Sequence, residues 1–204
     1  MKIKLVKNKS VVYAGILVLV LVGAGFAYYF LQNSDSPANN EKGKKVVADC
    51  KELAKALKND EAVSCYNAVL QDDAQNVDAK ANLANVYFEE KKYDESSKLL
   101  TEVNEARPAD AFVLNNLANS LRDQGKTEEA ISYYNEAIKA GNSDSISNLV
   151  TVYNIAGEYD KSIALLNDQL EGKPEDRVLT QLLASTYSKS GNQVKANELL
   201  SELN

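Results

Sequence analysis

The chain has 204 residues, of which 45% are hydrophobic, and a formal net charge of −6. It contains no histidine and two cysteines, which excludes histidine-dependent catalysis and the usual clusters of metal ligands. All 29 acidic residues follow residue 31, and this acidic excess argues against nucleic acid as a partner. We therefore expect a non-enzymatic protein without a cofactor.

The amino terminus has the charge pattern of a membrane anchor. Residues 1–10 form a short basic tail with four lysines and no acidic residue. Residues 11–31 carry no charge and are long enough, as a transmembrane helix, to cross the ~30 Å hydrocarbon core. Positive charge is retained on the cytoplasmic side, so the sequence predicts a single-pass membrane protein. We expect its amino terminus to be cytoplasmic and the remainder to be periplasmic or on the cell surface.

A cleaved signal peptide is the alternative interpretation of the same segment. The small residues of Gly23–Ala27 offer a cleavage site, which would release a secreted, soluble protein. Tyr28–Leu31 instead continue the apolar run, and aromatic residues at its far end favour the anchor. Residues 32–42 are polar and predict a short linker to the domain that follows.

The rest of the chain repeats with a period of about 34 residues, which is typical of a stacked solenoid. The repeat is marked by a leucine in each unit, and these aligned leucines are Leu83, Leu117, Leu149 and Leu183. Each unit has two amphipathic runs of helical period, separated by a turn. A glycine at Gly125, Gly157 and Gly191 is expected to end the first helix in a left-handed conformation.

These features resemble the tetratricopeptide repeat family. The resemblance rests on Leu-Ala-x-x-Tyr in the first helix, on Gly157–Ser162 at the turn, and on prolines at Pro108 and Pro174. It implies an all-α solenoid of four to five helix hairpins after one transmembrane helix. The predicted units are 43–76, 77–110, 111–142, 143–176 and 177–204. Asn142 departs from the family pattern, which usually has a proline there.

Cys50 and Cys65 lie in the first unit and would face each other across its helix hairpin. In an oxidising compartment a disulfide would hold together this unit, which fits the repeat pattern poorly. Two buried thiols in the core are the alternative.

The resemblance also implies that the first helix of each unit lines a concave groove. Asparagine can donate and accept hydrogen bonds, so a row of asparagines suits the backbone of an extended peptide. An alternative is that these asparagines bond to neighbouring helices within the solenoid. The predicted groove residues are Asn82, Asn85, Asn115, Asn116, Asn119, Arg122, Asn148 and Asn154, with Asp78 and Phe112 beside them.

The sequence thus predicts a membrane-anchored adaptor that binds an extended peptide or a partner protein. It resembles small bacterial single-span repeat proteins of envelope assembly, secretion or periplasmic chaperoning. A self-associating scaffold subunit of a membrane complex is a second hypothesis. It depends on an apolar edge at Leu199, Leu200 and Leu203, which could support a homo-oligomer.

Overall fold

A computed structural model describes residues 37–203, with side chains from residue 43 onward. The predicted basic tail, the predicted transmembrane helix and residues 32–36 of the predicted linker lie outside these described residues. Within residues 37–203, no helix has the length and the apolar composition needed to cross a membrane. The described residues divide into two units, with the boundary between residues 49 and 50.

The described residues form ten α-helices and no strand. The helices are α1 (Pro37–Lys55), α2 (Asn59–Asp72), α3 (Val77–Glu89), α4 (Tyr93–Ala106), α5 (Ala111–Asp123), α6 (Thr127–Lys139), α7 (Asp144–Ile155), α8 (Tyr159–Gly172), α9 (Arg177–Lys189) and α10 (Gln193–Glu202). Helix α1 begins inside the segment predicted as linker, at a proline, which is favoured at the first position of a helix.

From α2 to α10, each helix packs on the next one along the chain. In addition α3 contacts α5, α5 contacts α7, and α7 contacts α9. We call α3, α5, α7 and α9 the first helices and α4, α6, α8 and α10 the second helices. Because each hairpin contacts only its neighbours, this arrangement confirms the predicted all-α repeat solenoid.

The core of residues 50–203 runs along the stack as successive clusters. One cluster joins helices α3 to α7 and includes Leu100, Leu117 and Tyr134. A second joins α7, α8 and α9 through residues that include Val150 and Leu166. The aligned leucines are all at most 3% exposed, so the 34-residue period marks the positions that hold neighbouring helices together.

The turns inside the hairpins share one backbone geometry. Gly125 has φ +81, and its N–H and that of Lys126 donate to the carbonyls of Arg122 and Leu121. These two bonds form a Schellman motif, which recurs at Gly157 and Gly191 and confirms the predicted left-handed glycines. At the end of α3, Lys91 occupies the same position with φ +60.

Replacing Lys91 with glycine is expected to raise the free energy of unfolding by about 0.5–1 kcal/mol, because a left-handed conformation is strained for a residue with a Cβ. Chemical denaturation of the full chain measures this change. Lys98→Gly, at an exposed position inside α4, is the matched control and is expected to destabilise by about 1 kcal/mol. A loss of stability in both variants would contradict the prediction.

A disulfide joins Cys50 of α1 to Cys65 of α2, with the two Cα atoms 5.5 Å apart. Of the two alternatives that the sequence leaves open, the structure therefore has the covalent link. Leu57, in the loop between these two helices, has φ +58 and is almost fully exposed. The α1–α2 turn thus lacks the glycine found at Gly125, Gly157 and Gly191, and the disulfide gives this hairpin a covalent link between its helices.

Candidate functional site

Polar and exposed side chains follow one side of the first helices. On an α-helix, which turns by about 100° per residue, positions −5, −2, −1, +2, +5 and +6 relative to the aligned leucine lie within one arc of about 120°, on the side away from that leucine. We call these positions on α3, α5, α7 and α9 the first-helix stripe. It includes every predicted groove residue: Asn82 and Asn85 on α3, Asn115, Asn116, Asn119 and Arg122 on α5, and Asn148 and Asn154 on α7.

Four of these asparagines form a chain of side-chain hydrogen bonds that links three first helices. Asn116 Nδ2 donates to Asn85 Oδ1 across 3.1 Å, which joins α5 to α3. Asn115 Nδ2 donates to Asn116 Oδ1 across 3.3 Å on the same helix. Asn148 Nδ2 then donates to Asn115 Oδ1 across 3.0 Å, which joins α7 to α5. We call this chain the asparagine network.

The network ends in buried groups at the start of α7. Ser145 Oγ lies 2.8 Å from Asn115 Oδ1 and 2.9 Å from Asn142 Oδ1, and its single proton serves one of them at a time. Asn142 Oδ1 also accepts from the backbone N–H of Ser145 at 2.9 Å. Ser145, Asn142 and Asn115 are all buried, so this end of the network is closed to water.

Asn115→Ala is expected to lower the free energy of unfolding by about 1–3 kcal/mol, because it removes the acceptor of the Asn148 amide and leaves Asn142 Oδ1 as the one remaining acceptor of the buried Ser145 hydroxyl. Urea denaturation measures the loss. Asn82→Ala is the matched control, since Asn82 Nδ2 donates only to the Asp78 carbonyl of its own helix. Equal effects of the two substitutions would show that the network adds nothing to stability.

Asn119 and Arg122 belong to a second cluster, between α5 and α6. Tyr134 is fully buried, and its hydroxyl donates to Asn119 Oδ1 across 2.6 Å. Arg122 Nη1 lies 3.3 Å from that hydroxyl, and Arg122 Nε donates to Asp123 across 2.7 Å. The hydrogen bond to Asp123 raises the pKa of the Arg122 guanidinium. The positive charge of Arg122 is thus already engaged by its own hairpin.

Two buried tyrosines are expected to make the stability of the fold depend on pH in the alkaline range. Burial raises the pKa of Tyr134 to about 12, against the opposing effect of Arg122, and burial raises the pKa of Tyr66 to about 12. Among the described residues, the Tyr66 hydroxyl oxygen has no hydrogen-bond partner. The ordinary pKa of tyrosine is 10.0, so the unfolded chain loses these protons at a lower pH than the folded chain.

Stability is therefore expected to be unaffected by these groups below pH 10 and to fall between about pH 10 and 12, by on the order of 1–3 kcal/mol per tyrosine. Denaturation curves at pH 8, 10 and 11 measure this slope. Tyr134→Phe removes one ionisable group and is expected to flatten the slope, whatever its effect at pH 8. An unchanged slope in this variant would contradict the assignment to Tyr134.

The remaining predicted residues lie at the end of the asparagine network or outside the two clusters. Asn154 Nδ2 donates to Thr186 Oγ1 across 3.2 Å, which joins α7 to α9, while Asn154 Oδ1 is buried without a partner in the described structure. Asn85 is exposed at its end of the network. At the predicted apolar edge, Leu199 packs against the α7–α9 core cluster, Leu203 is half-buried, and Leu200 is 44% exposed.

Sequence reasoning missed the residues that complete these networks. Ser145 and Asn142 close the asparagine network, and Tyr134 orients Asn119. The signal for Asn142 was its departure from the proline usual at that position. Within residues 37–203, no three His, Cys, Asp or Glu side chains are grouped so that they could hold a metal ion.

Comparison with known proteins agrees with this architecture. Two sequence models described as tetratricopeptide repeat match residues 74–143 and 115–176, which together cover half of the chain. None of the curated proteins matches the sequence significantly.

Solved structures resemble the fold at low sequence identity. The MamA protein superposes with a TM-score of 0.66 at 20% identity, over 79% of this chain and 90% of MamA. YrrB, described as a TPR protein with an unusual peptide-binding site, superposes with a TM-score of 0.61 at 17% identity, over 86% of this chain and 89% of YrrB. At these identities the likeness establishes the fold alone.

Proposed function

Because the chain belongs to the tetratricopeptide repeat family, we propose that it is a non-enzymatic adaptor that binds an extended segment of a partner protein along the first-helix stripe. The asparagine network is the observation that carries this proposal. It holds amide groups from three successive repeats in fixed positions on one side of the helices. Amides that are already held in place lose little conformational entropy when they pair with a peptide backbone.

The network leaves specific atoms for a ligand. Among the described residues, Asn85 Nδ2 is a donor without a protein partner, and Asn148 Oδ1 is an acceptor without one. A peptide in an extended conformation has backbone N–H and C=O groups that need such partners once water is displaced. The two atoms lie on α3 and α7, so a bound segment would cross at least three repeats.

The predicted anchor extends this proposal to a place in the cell. The uncharged segment 11–31 after a basic tail would hold the adaptor in the membrane, with its repeats outside the cytoplasm. The disulfide between Cys50 and Cys65 supports this side of the membrane, because disulfides persist in oxidising compartments. Envelope assembly, secretion and periplasmic chaperoning are the processes in which such an adaptor would act.

Photo-crosslinking in cells tests the adaptor function. A photoreactive residue in place of Thr151, exposed on the first-helix stripe, is expected to capture a discrete partner protein. The same residue in place of Ser132, exposed on the second helix α6, is the matched control and is expected to capture none. Asn85→Ala is expected to weaken capture at position 151.

Equal capture at the two positions, or capture only of other copies of the chain, would contradict the adaptor. Capture of copies alone would favour the self-associating scaffold. A carboxy-terminal reporter that is active only in the cytoplasm tests the location separately. Activity of that reporter would exclude an extracytoplasmic repeat domain.

A further inference from the structure

Three large apolar side chains remain exposed on the first-helix stripe. Between residues 58 and 193, the large apolar side chains that remain exposed are Phe112, Ile155 and Val178. They are 72%, 82% and 66% exposed, and each occupies a stripe position on α5, α7 or α9. Among the second helices, α4, α6 and α8 expose no large apolar side chain, whereas α10 exposes Val194 and Leu200. Exposed apolar side chains on neighbouring helices of one stripe are typical of an interaction surface.

Apolar and acidic side chains alternate along one edge of the stripe. Five residues before the aligned leucine stand Phe112 on α5, Asp144 on α7 and Val178 on α9. These helices are direct neighbours, since Asn148 bonds to Asn115 at 3.0 Å and Asn154 bonds to Thr186 at 3.2 Å. The edge therefore presents an apolar, an acidic and a second apolar side chain in succession.

The acidic group at the centre of this edge is available to a ligand. Asp144 is exposed, and it forms no ion pair with any residue that the structure describes. The equivalent residue on α3, Asp78, differs because its carboxylate is 2.6 Å from Arg107 Nη2. A ligand at this edge would thus meet one unpaired negative charge, flanked by Phe112 and Val178.

The spacing of the helices selects the conformation of that ligand. Packed helices lie about 8–10 Å apart. A polyproline II segment has three residues per turn and advances by about 9 Å per turn, so every third side chain returns to the same side. Such a segment would place three side chains of one face over three successive first helices. Its backbone forms no internal hydrogen bonds, which leaves its amides for the asparagines.

We propose that the ligand of this surface is an extended protein segment in which one basic side chain is flanked, at three-residue intervals, by two apolar side chains. The basic side chain pairs with Asp144, and the apolar ones cover Phe112 and Val178. This inference rests on the proposed adaptor function and adds the chemistry of the partner.

Peptide binding to the full-length protein in detergent tests this inference by fluorescence anisotropy. The probe is a capped, labelled nine-residue peptide with leucine at its second and eighth positions, lysine at its fifth and serine elsewhere. One comparison peptide has glutamate in place of lysine, and another has serine in place of both leucines. The lysine peptide is expected to bind at least about tenfold more tightly than either comparison peptide, a factor that corresponds to about 1.4 kcal/mol.

Two variants assign that preference to the named residues. Asp144→Asn is expected to remove most of the difference between the lysine and glutamate peptides. Phe112→Ser is expected to remove much of the advantage of the leucines. Asp160→Asn on α8 and Val194→Ser on α10 are the matched controls, since both residues are exposed and lie away from the stripe. Neither control is expected to change the preference.

Equal binding of the lysine and glutamate peptides, or a preference that survives Asp144→Asn, would overturn this inference. Failure of all three peptides to bind would also overturn it. The adaptor function would still stand in these cases if the probe at position 151 captures a partner, because that experiment makes no assumption about the sequence of the ligand.

Discussion

Removing the disulfide by the double substitution Cys50→Ala and Cys65→Ala is expected to destabilise the first hairpin by about 3 kcal/mol, the value for a closed loop of about 15 residues. The two cysteines are separated by 15 residues, and the turn between them contains the left-handed Leu57. Neighbouring repeats stabilise one another only through their shared interface, so the loss should be local. Hydrogen exchange of the full chain is expected to accelerate about 100-fold in α2 and to change little in α5 to α9.

Reduction of the unmodified protein provides the control for this prediction. A dithiol reductant should accelerate exchange in α2 of the unmodified chain and should have no effect on the double variant. Uniform acceleration through all the helices would show that the solenoid unfolds as one body, which would contradict the local role given to the disulfide.

Leu149→Ala is expected to cost about 2–5 kcal/mol, the range for truncating a fully buried leucine. Leu149 is 0% exposed and lies on α7 in the cluster that extends back to α3. The cavity would therefore open in the middle of the stack, where α7 packs on the preceding hairpin. Urea denaturation is the measurement, and a fall in the midpoint is expected.

The matched control for this cavity is Val194→Ala, because Val194 is an aliphatic residue on α10 that is mostly exposed. Its truncation should change the free energy of unfolding by less than about 0.5 kcal/mol. A loss below about 1 kcal/mol for Leu149→Ala would mean that neighbouring side chains close the cavity, and would contradict the rigid core inferred from burial.

The fold of the described residues could be predicted from the sequence because the information is local and repeated. The aligned leucines are buried in all four units, and the left-handed glycines close the turns as expected. Each feature depends on helix geometry and on a residue type, so a periodic pattern is sufficient to find it. Lys91 shows the limit of this reasoning, since the neighbouring Schellman bonds impose a glycine-like conformation on a lysine.

The candidate site was less predictable because it depends on contacts between repeats. Periodicity places Asn85, Asn116 and Asn148 on one side of their helices, but it does not say which atoms bond to one another. In the structure most of these amides bond across the helix interface, as the alternative interpretation expected, and some atoms remain for a ligand. Side-chain placement likewise decides the ion pairs, which Asp78 forms with Arg107 and Arg122 forms with Asp123. Asp144 forms no such pair with a described residue.

The asparagine network also bears on how such a protein can change by duplication. Repeat proteins are often regarded as modular, with units that can be copied or exchanged. Here Asn115 stands at a position held by Ala81 on α3, Ser147 on α7 and Gln181 on α9, and it bonds to residues of the next unit. A duplicated or transposed unit would bring these partners out of register and leave buried polar groups unmatched. The order of the middle units is therefore constrained, and new repeats would be tolerated more readily at the ends of the stack than within it.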